Sequence, residues 1–127
     1  MVAVLVCVGL AGLLMLEILH QVVARRAEVD LAGRALQARW LAEAALERAA
    51  ARLAEDPAYP GETWRPAADS EGTFEGGTVA IQVRPAGGPH LYRHIRVQAD
   101  YPDDPLYRVR ATKEIRLEIP PKTTPQR

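Results

Sequence analysis

Cysteine, aromatic residues and net charge are all in short supply in this sequence. Its 127 residues include one cysteine and only 6% aromatic residues, and 16 Lys and Arg residues balance 16 Asp and Glu residues. The lone thiol, Cys7, excludes an intramolecular disulfide framework and a zinc site built from several cysteines. A net charge of zero argues against a strongly cationic nucleic-acid-binding protein and against an acidic tail protein. The length is that of roughly one domain.

Charge is also absent from the first 16 residues, which are apolar from Met1 to Leu16. The apolar character continues to Ala24, interrupted by Glu17, His20 and a neighbouring glutamine. A helix over residues 1–24, at about 1.5 Å per residue, is about 36 Å long and exceeds a hydrocarbon core of about 30 Å. The sequence therefore predicts a transmembrane helix over residues 1–24. The positions expected to contact lipid or a neighbouring helix are Met1, Leu5, Leu13, Glu17 and His20.

Other interpretations of this segment fit less well. A cleaved secretory signal would have a basic region before the apolar run and a small-x-small site after it. A lipoprotein anchor at Cys7 is disfavoured because only six residues precede it, so packing of the thiol in lipid or against a helix is simpler. Glu17 and His20 form either an interfacial polar pair or a contact to another subunit's helix. Arg25 and Arg26 follow the helix, so with Met1 as the start the positive-inside rule places the C-terminal part in the cytoplasm.

Residues 25–56 are predicted to continue as an amphipathic stalk helix that ends at Pro57. The segment contains no proline and one glycine, and it is rich in Ala, Leu, Arg and Glu, which favour helix. At 100° per residue its apolar side chains form a wide stripe. One arc of the stripe consists of Val29, Leu36 and Trp40, and the adjoining arc consists of Leu31, Ala35, Leu46, Ala50 and Leu53.

Beyond the stalk, residues 57–77 contain three prolines and four glycines and are predicted to form a loop. Apolar and polar residues then alternate in three runs, which predicts three antiparallel strands over residues 78–119. Tyr101 is expected opposite Tyr107, and Lys113 is expected at a bulge or at the rim of the sheet because it interrupts an apolar row. Residues 120–127 are predicted to be a disordered tail.

The apolar face of this sheet needs a cover, and the amphipathic helix is the only element available. The predicted fold class is therefore α+β, with a long N-terminal transmembrane-plus-stalk helix packed on a small antiparallel three-stranded sheet. The residues expected to pack the stalk on the sheet are Leu36, Trp40, Leu46 and Leu53. A core of this size predicts marginal stability without membrane or partners.

Side chains suited to catalysis are few. Glu43 and Glu47 lie one helical turn apart, but with Arg39 they form an ordinary ladder of charges four residues apart. His90 and His94 share a strand face without a third metal ligand. No nucleophile elbow, phosphate loop, dinucleotide fingerprint or zinc-protease motif occurs. The sequence therefore predicts no catalytic residue, no cofactor and no enzyme.

Two clusters of charge lie in the second half of the chain. Asp100, Asp103 and Asp104 crowd one turn, where they are candidate calcium ligands, although Asp and Pro supplying turn geometry explains them more simply. The outward strand positions also carry a row of basic residues. They are Arg84, Arg96, Arg108, Arg110 and Arg116. A solvated surface or a docking site for an acidic neighbour is favoured over contact with DNA phosphates.

A charge-free membrane helix, an amphipathic stalk and a small antiparallel sheet together resemble the type IV pilin-like proteins, which include pilus subunits and the pseudopilins of type II secretion. Trp40–Leu53 (WLAEAALERAAARL) and Tyr59–Trp64 (YPGETW) are most similar to minor subunits of the PilX and general-secretion K kinds. In that family a prepilin peptidase removes a short basic leader just before a Phe or Met. Most members carry glutamate at the fifth mature residue, where this sequence has Leu5. K-type subunits also lack this glutamate, so the resemblance implies a minor, tip-like subunit.

The resemblance implies a single-pass protein of the bacterial inner membrane whose C-terminal domain lies outside the cytoplasm, since a basic leader would reverse the orientation given above. Met1 is then either the mature N-terminus or a start assigned too late. The implied partners are membrane lipid, other pilin or pseudopilin subunits and the assembly machinery, with nucleic acid disfavoured. Related secretion subunits also bind calcium. Two alternatives stay open: a single-pass membrane-anchored scaffold or partner-binding domain, and a DNA-contacting surface module.

Overall fold

A computed structural model gives the structure of residues 1–87 and 92–120. One helix, α1 (Val2–Glu55), precedes four strands. These are β1 (Gly61–Trp64), β2 (Thr78–Ala86), β3 (Tyr92–Tyr101) and β4 (Val109–Glu118). The chain divides into two compact units, Met1–Gly33 and Arg34–Arg127. The predicted tail falls on residues 121–127, outside the described residues.

The first unit is helical, and every residue in it is exposed. Its large apolar side chains are 46% to 104% exposed, although such side chains are normally buried in folded domains. One window of α1 is long and apolar enough to cross a membrane, with a mean hydropathy of 2.7 and none of it buried. The predicted apolar helix at the N-terminus is therefore present, and no described side chain of this chain covers it.

In the second unit, α1 packs on the sheet mainly through alanines. Six of its residues are buried. They are Ala38, Leu41, Ala42, Ala45, Ala49 and Leu53. They recur every three or four residues and so lie on one face of the helix. Because alanine has only a methyl group, this face can approach the strands closely, and Leu41 and Leu53 fill the remaining space.

The predicted stalk contacts are correct for part of the helix and wrong for the rest. Leu53 is buried in the core, and Leu46 packs against it while partly buried. Leu36 and Trp40 are 55% and 66% exposed, so they do not pack on the sheet. Ala45 and Ala49 follow them by nine residues, which at about 100° per residue is the opposite side of the helix. The face that meets the sheet shares only Leu53 with the second predicted arc, and its other five buried residues, four of them alanines, lie in neither arc.

The strands form one antiparallel sheet in the order β1-β2-β3-β4. The α+β layout is confirmed, but the sheet has four strands, and the prediction of three was wrong. The added strand, β1, lies within residues 57–77, which were predicted to be a loop. It has four residues, too few to establish an alternating pattern.

The formation of β1 depends on Gly61, which pairs with Gln82 of β2 and has a φ of 115°. A Cβ at this position would lie 2.1 Å from the carbonyl oxygen of Ile81. Only glycine therefore allows the chain to enter the sheet here.

The pairing of β3 with β4 corrects one further prediction and refines another. Tyr101 pairs with Val109, whereas Tyr107 lies in the preceding turn and is 56% exposed, so the expected Tyr101–Tyr107 pair was wrong. Lys113 pairs with Val97 in an unbroken ladder, which excludes a bulge there. It does lie on an edge strand, as the alternative prediction of a position at the rim required.

Candidate assembly and docking surfaces

The apolar N-terminal helix carries a shallow groove. Its volume is about 360 Å³, and it is lined by Ala3, Val4, Cys7, Val8 and Ala11. The small residues Ala3, Cys7 and Ala11 are four apart and so lie on one helical stripe. Small residues at this spacing allow a second helix to approach closely within a membrane.

The other residues predicted on this helix are also exposed. Met1, Leu5 and Leu13 are 104%, 72% and 65% exposed. Glu17 and His20 lie on the same helix one turn apart, and neither makes an ion pair with a described residue. All five are therefore accessible to lipid or to a neighbouring helix.

Leu36 and Trp40 form a second exposed apolar surface, on the side of α1 away from the sheet. An isolated exposed apolar residue is ordinary, but a tryptophan and a leucine one turn apart form a contiguous patch. The core of the second unit is complete without them. This surface is therefore free to contact another molecule.

Four side chains fasten α1 to β1 through ionic and aromatic contacts. Nε of Arg48 donates a hydrogen bond to Oε1 of Glu62 at 2.7 Å, and Nε of Arg52 lies 3.9 Å from the same oxygen. The Arg48 guanidinium also lies 5.3 Å from the centre of the Trp64 ring, a cation–π distance. The hydrogen bond from Arg48 lowers the pKa of the Glu62 carboxyl below its usual value. Burial, followed by the effect of Glu62, raises the pKa of Tyr59 to about 12.

A second fastening joins α1 to the opposite edge of the sheet. Nζ of Lys113, on the helix-facing side of β4, donates to Oε1 of Glu43. This hydrogen bond is the largest cause of the lowered pKa of the Glu43 carboxyl. Sequence reasoning assigned Glu43 to a charge ladder along the helix and missed this contact. No spacing along the chain relates residues 43 and 113, so only the register of β4 could have revealed it.

All five predicted arginines are exposed, and four of them lie on strands while Arg108 precedes β4, but acidic residues neutralise part of the charge. Asp100 is buried and accepts from Nε of Arg110 at 2.7 Å and from its Nη2 at 3.0 Å. Arg108 lies 3.6 Å from the same carboxylate. Glu114 lies 3.3 Å from Nε of Arg96 and 3.5 Å from Nε2 of His94.

The remaining two arginines of the row have different surroundings. The Arg116 guanidinium lies 4.5 Å from the centre of the Tyr92 ring. Arg84 is exposed and makes no ion pair or hydrogen bond with a described residue. It lines a shallow depression between β2 and β3.

The three candidate calcium ligands are not brought together. Asp100 binds arginines, Asp103 accepts from the Thr78 hydroxyl at 2.8 Å, and Asp104 accepts from the Leu106 amide at 2.9 Å. The last contact, to a backbone amide two residues on, is typical of an Asx turn. Within residues 1–87 and 92–120, no group of three or more His, Cys, Asp or Glu side chains could hold a metal ion. Of the predicted pair of His90 and His94, His90 lies outside the described residues.

Comparison of this chain with protein-family models, with curated proteins and with solved structures found no match.

Proposed function

We propose that this protein is a minor pilin or pseudopilin subunit, anchored in the bacterial inner membrane, that assembles through its N-terminal helix into a type IV pilus or a type II secretion pseudopilus. The observation that carries the proposal is the apolar first unit, in which no residue is buried. Water cannot solvate such a surface without a large free-energy cost. Lipid covers it before assembly, and neighbouring helices cover it afterwards.

In this proposal the protein acts by packing and not by catalysis. Lipid tails are as apolar as leucine, so transfer of the helix from the bilayer to a bundle gains little from the hydrophobic effect. The gain must come from close van der Waals contact, for which the groove of Ala3, Cys7 and Ala11 is suited. Leu36 and Trp40 would extend the contact between subunits beyond the membrane. The second unit lies outside the cytoplasm, and the partners are lipid, other pilin-like subunits and the assembly machinery.

The membrane anchor is tested by alkaline carbonate extraction of membranes that carry the full chain. The unmodified protein is expected to stay in the membrane pellet. Arginine at both Leu13 and Leu14 should release it, because each arginine near the centre of a bilayer costs about 2.5–3.5 kcal/mol. Leu106→Arg is the matched control, since Leu106 is an exposed apolar residue of the second unit. Release of the unmodified protein by carbonate would refute the anchor.

Assembly is tested separately by photo-crosslinking in the membranes of the native host. A benzophenone amino acid at Val4 or Val8 points into the groove, whereas Leu13 lies nine residues after Val4 and so on the opposite side of the helix. A bundled subunit should give protein adducts at Val4 and Val8 and fewer at Leu13. Lipid adducts alone at all three positions would exclude assembly through this helix.

A single-pass membrane-anchored scaffold or partner-binding domain is the second candidate. It is favoured by the core of the second unit, which is built entirely from residues after Gly33 and needs no neighbouring subunit. The crosslinking experiment separates the two candidates, because a plain anchor predicts only lipid adducts.

A further inference from the structure

The outer face of the sheet has a shallow depression of about 340 Å³, between β2 and β3. It is lined by Ala80, Gln82, Arg84, Arg96 and Gln98. Its floor is low because Ala80 has a short side chain. Two guanidinium groups and two amides therefore surround a floor that offers no competing charge.

The two arginines are placed to act together. Arg96 pairs directly with Gln82 in the ladder, so Arg84 is its diagonal neighbour, with Cβ atoms roughly 7–8 Å apart. Arg84 has no ionic partner among the described residues. Arg96 directs Nε toward Glu114, at 3.3 Å, and its side chain is 53% exposed, so a ligand can reach its guanidinium. Both side chains can therefore donate to a ligand from the two sides of the depression.

Gln98 adds an oriented donor. With its oxygen turned toward Arg110, the Gln98 amide accepts from both Nε and Nη2 of that arginine at 3.2 Å. Asp100 in turn holds Arg110 in place. The oxygen of Gln98 is therefore occupied, and its NH₂ group is left to donate to a ligand. An acceptor with negative charge satisfies this set of donors, because all the charge lining the depression is positive.

We propose that this depression binds the carboxylates of an acidic polypeptide segment from a partner protein. A nucleic acid fits the face less well, because Asp100, Glu114 and Glu118 lie on it among the arginines and would repel a continuous row of phosphates. A separate carboxylate can bind Arg84, which makes no ion pair with a described residue, and the exposed part of the Arg96 guanidinium without also passing Asp100 and Glu118. The surface lies wholly on the second unit, so it does not depend on the membrane anchor or on assembly into a filament.

The test is fluorescence anisotropy of a fluorescein-labelled polyglutamate peptide, titrated at low ionic strength with the full chain in a non-ionic detergent. Saturable binding is expected, with no binding of a polyglutamine peptide of the same length. Arg84→Gln and Arg96→Gln should each weaken binding about fivefold, since one exposed ion pair is worth up to about 1 kcal/mol. Arg65→Gln removes the same charge outside the depression and is the matched control. Both arginines in the depression are exposed, and circular dichroism would verify that the variants keep the fold.

Three results would overturn the proposal. They are the absence of polyglutamate binding, equal weakening by Arg65→Gln and Arg84→Gln, and tighter binding of single-stranded DNA that Arg84→Gln abolishes. The last result would make the face a nucleic-acid surface. None of them bears on carbonate extraction or helix crosslinking, so a failure here is distinct from a failure of the proposed function.

Discussion

Replacement of Leu53 by alanine should destabilise the protein far more than replacement of Trp40 by alanine, although tryptophan is the larger side chain. Leu53 is 1% exposed and lies in the core between α1 and the sheet, whereas Trp40 is 66% exposed on the other side of the helix. Leu53→Ala removes buried methyl groups and leaves a cavity, which costs about 2–5 kcal/mol. Trp40→Ala should change the free energy of unfolding by less than about 1 kcal/mol, because surface substitutions usually have small effects.

The assay is thermal unfolding of the full chain in detergent, followed by the fluorescence of Trp64, which lies against Arg48 in the second unit. Leu53→Ala is made in a Trp40→Phe background, so that Trp64 is the only tryptophan. In a domain of this size, 1 kcal/mol shifts Tm by about 4–8 °C, so Leu53→Ala should lower Tm by roughly 10 °C or more. A loss for Trp40→Ala as large as that for Leu53→Ala would mean that the large apolar arc faces the sheet, and the assignment of the helix face would be refuted.

Three further predictions concern the contacts that hold the sheet. Gly61→Ala should destabilise the fold by about 1–3 kcal/mol from backbone strain alone. Gly87→Ala is the control and should leave the stability unchanged, because a Cβ there meets open space. Equal Tm values for the two variants would contradict the role of Gly61. The pKa of Glu62 is lowered in the folded protein, so its stabilising effect is present above a pH of about 4.3 and is lost as the pH falls through the folded pKa. Glu62→Gln should therefore flatten the fall of Tm in acid titrations, and an unchanged slope would exclude this carboxylate as a cause. Lys113→Met should keep or raise Tm, because it extends an apolar row on an edge strand. Glu43→Gln should lower Tm, because it leaves Lys113 without its partner. A lower Tm for Lys113→Met than for Glu43→Gln would show that the charge of Lys113 itself stabilises the strand.

The helix and three of the strands were predictable because their hydrophobic patterns persist over long runs of residues. An unbroken helical pattern precedes Pro57, and period-two alternation marks three strands, each of which the structure contains. The fourth strand, β1, was not predictable, since four residues beginning with glycine contain no alternation. Its presence depends on the close approach of Gly61 to Ile81, which is a tertiary contact.

The face of α1 that meets the sheet could not be chosen from the sequence. Hydrophobicity favours the arc that contains Leu36 and Trp40. Packing of a helix on a sheet is more stable when the two approach closely, which Ala38, Ala42 and Ala45 allow. Four of the five outward strand arginines were identified correctly from alternation, whereas Arg108 precedes β4. The depression between Arg84 and Arg96 was not predicted, because it depends on the register of β2 against β3 and on the short side chain of Ala80 at its floor.

The alanine-lined contact has a consequence for how the helix finds its position along the strands. Alanines at 38 and 42 are repeated seven residues later at 45 and 49, so a slide of two turns would present much the same smooth surface to the strands. Alanine methyl groups allow close packing, but they carry little information about which turn of the helix contacts which part of the sheet. That information comes from the larger side chains of Leu41 and Leu53 and from two ion pairs, Glu43 with Lys113 at one edge of the sheet and Arg48 with Glu62 at the other. A variant that lacks both ion pairs should keep its helix content and compactness, but its helix should align with the strands less uniquely.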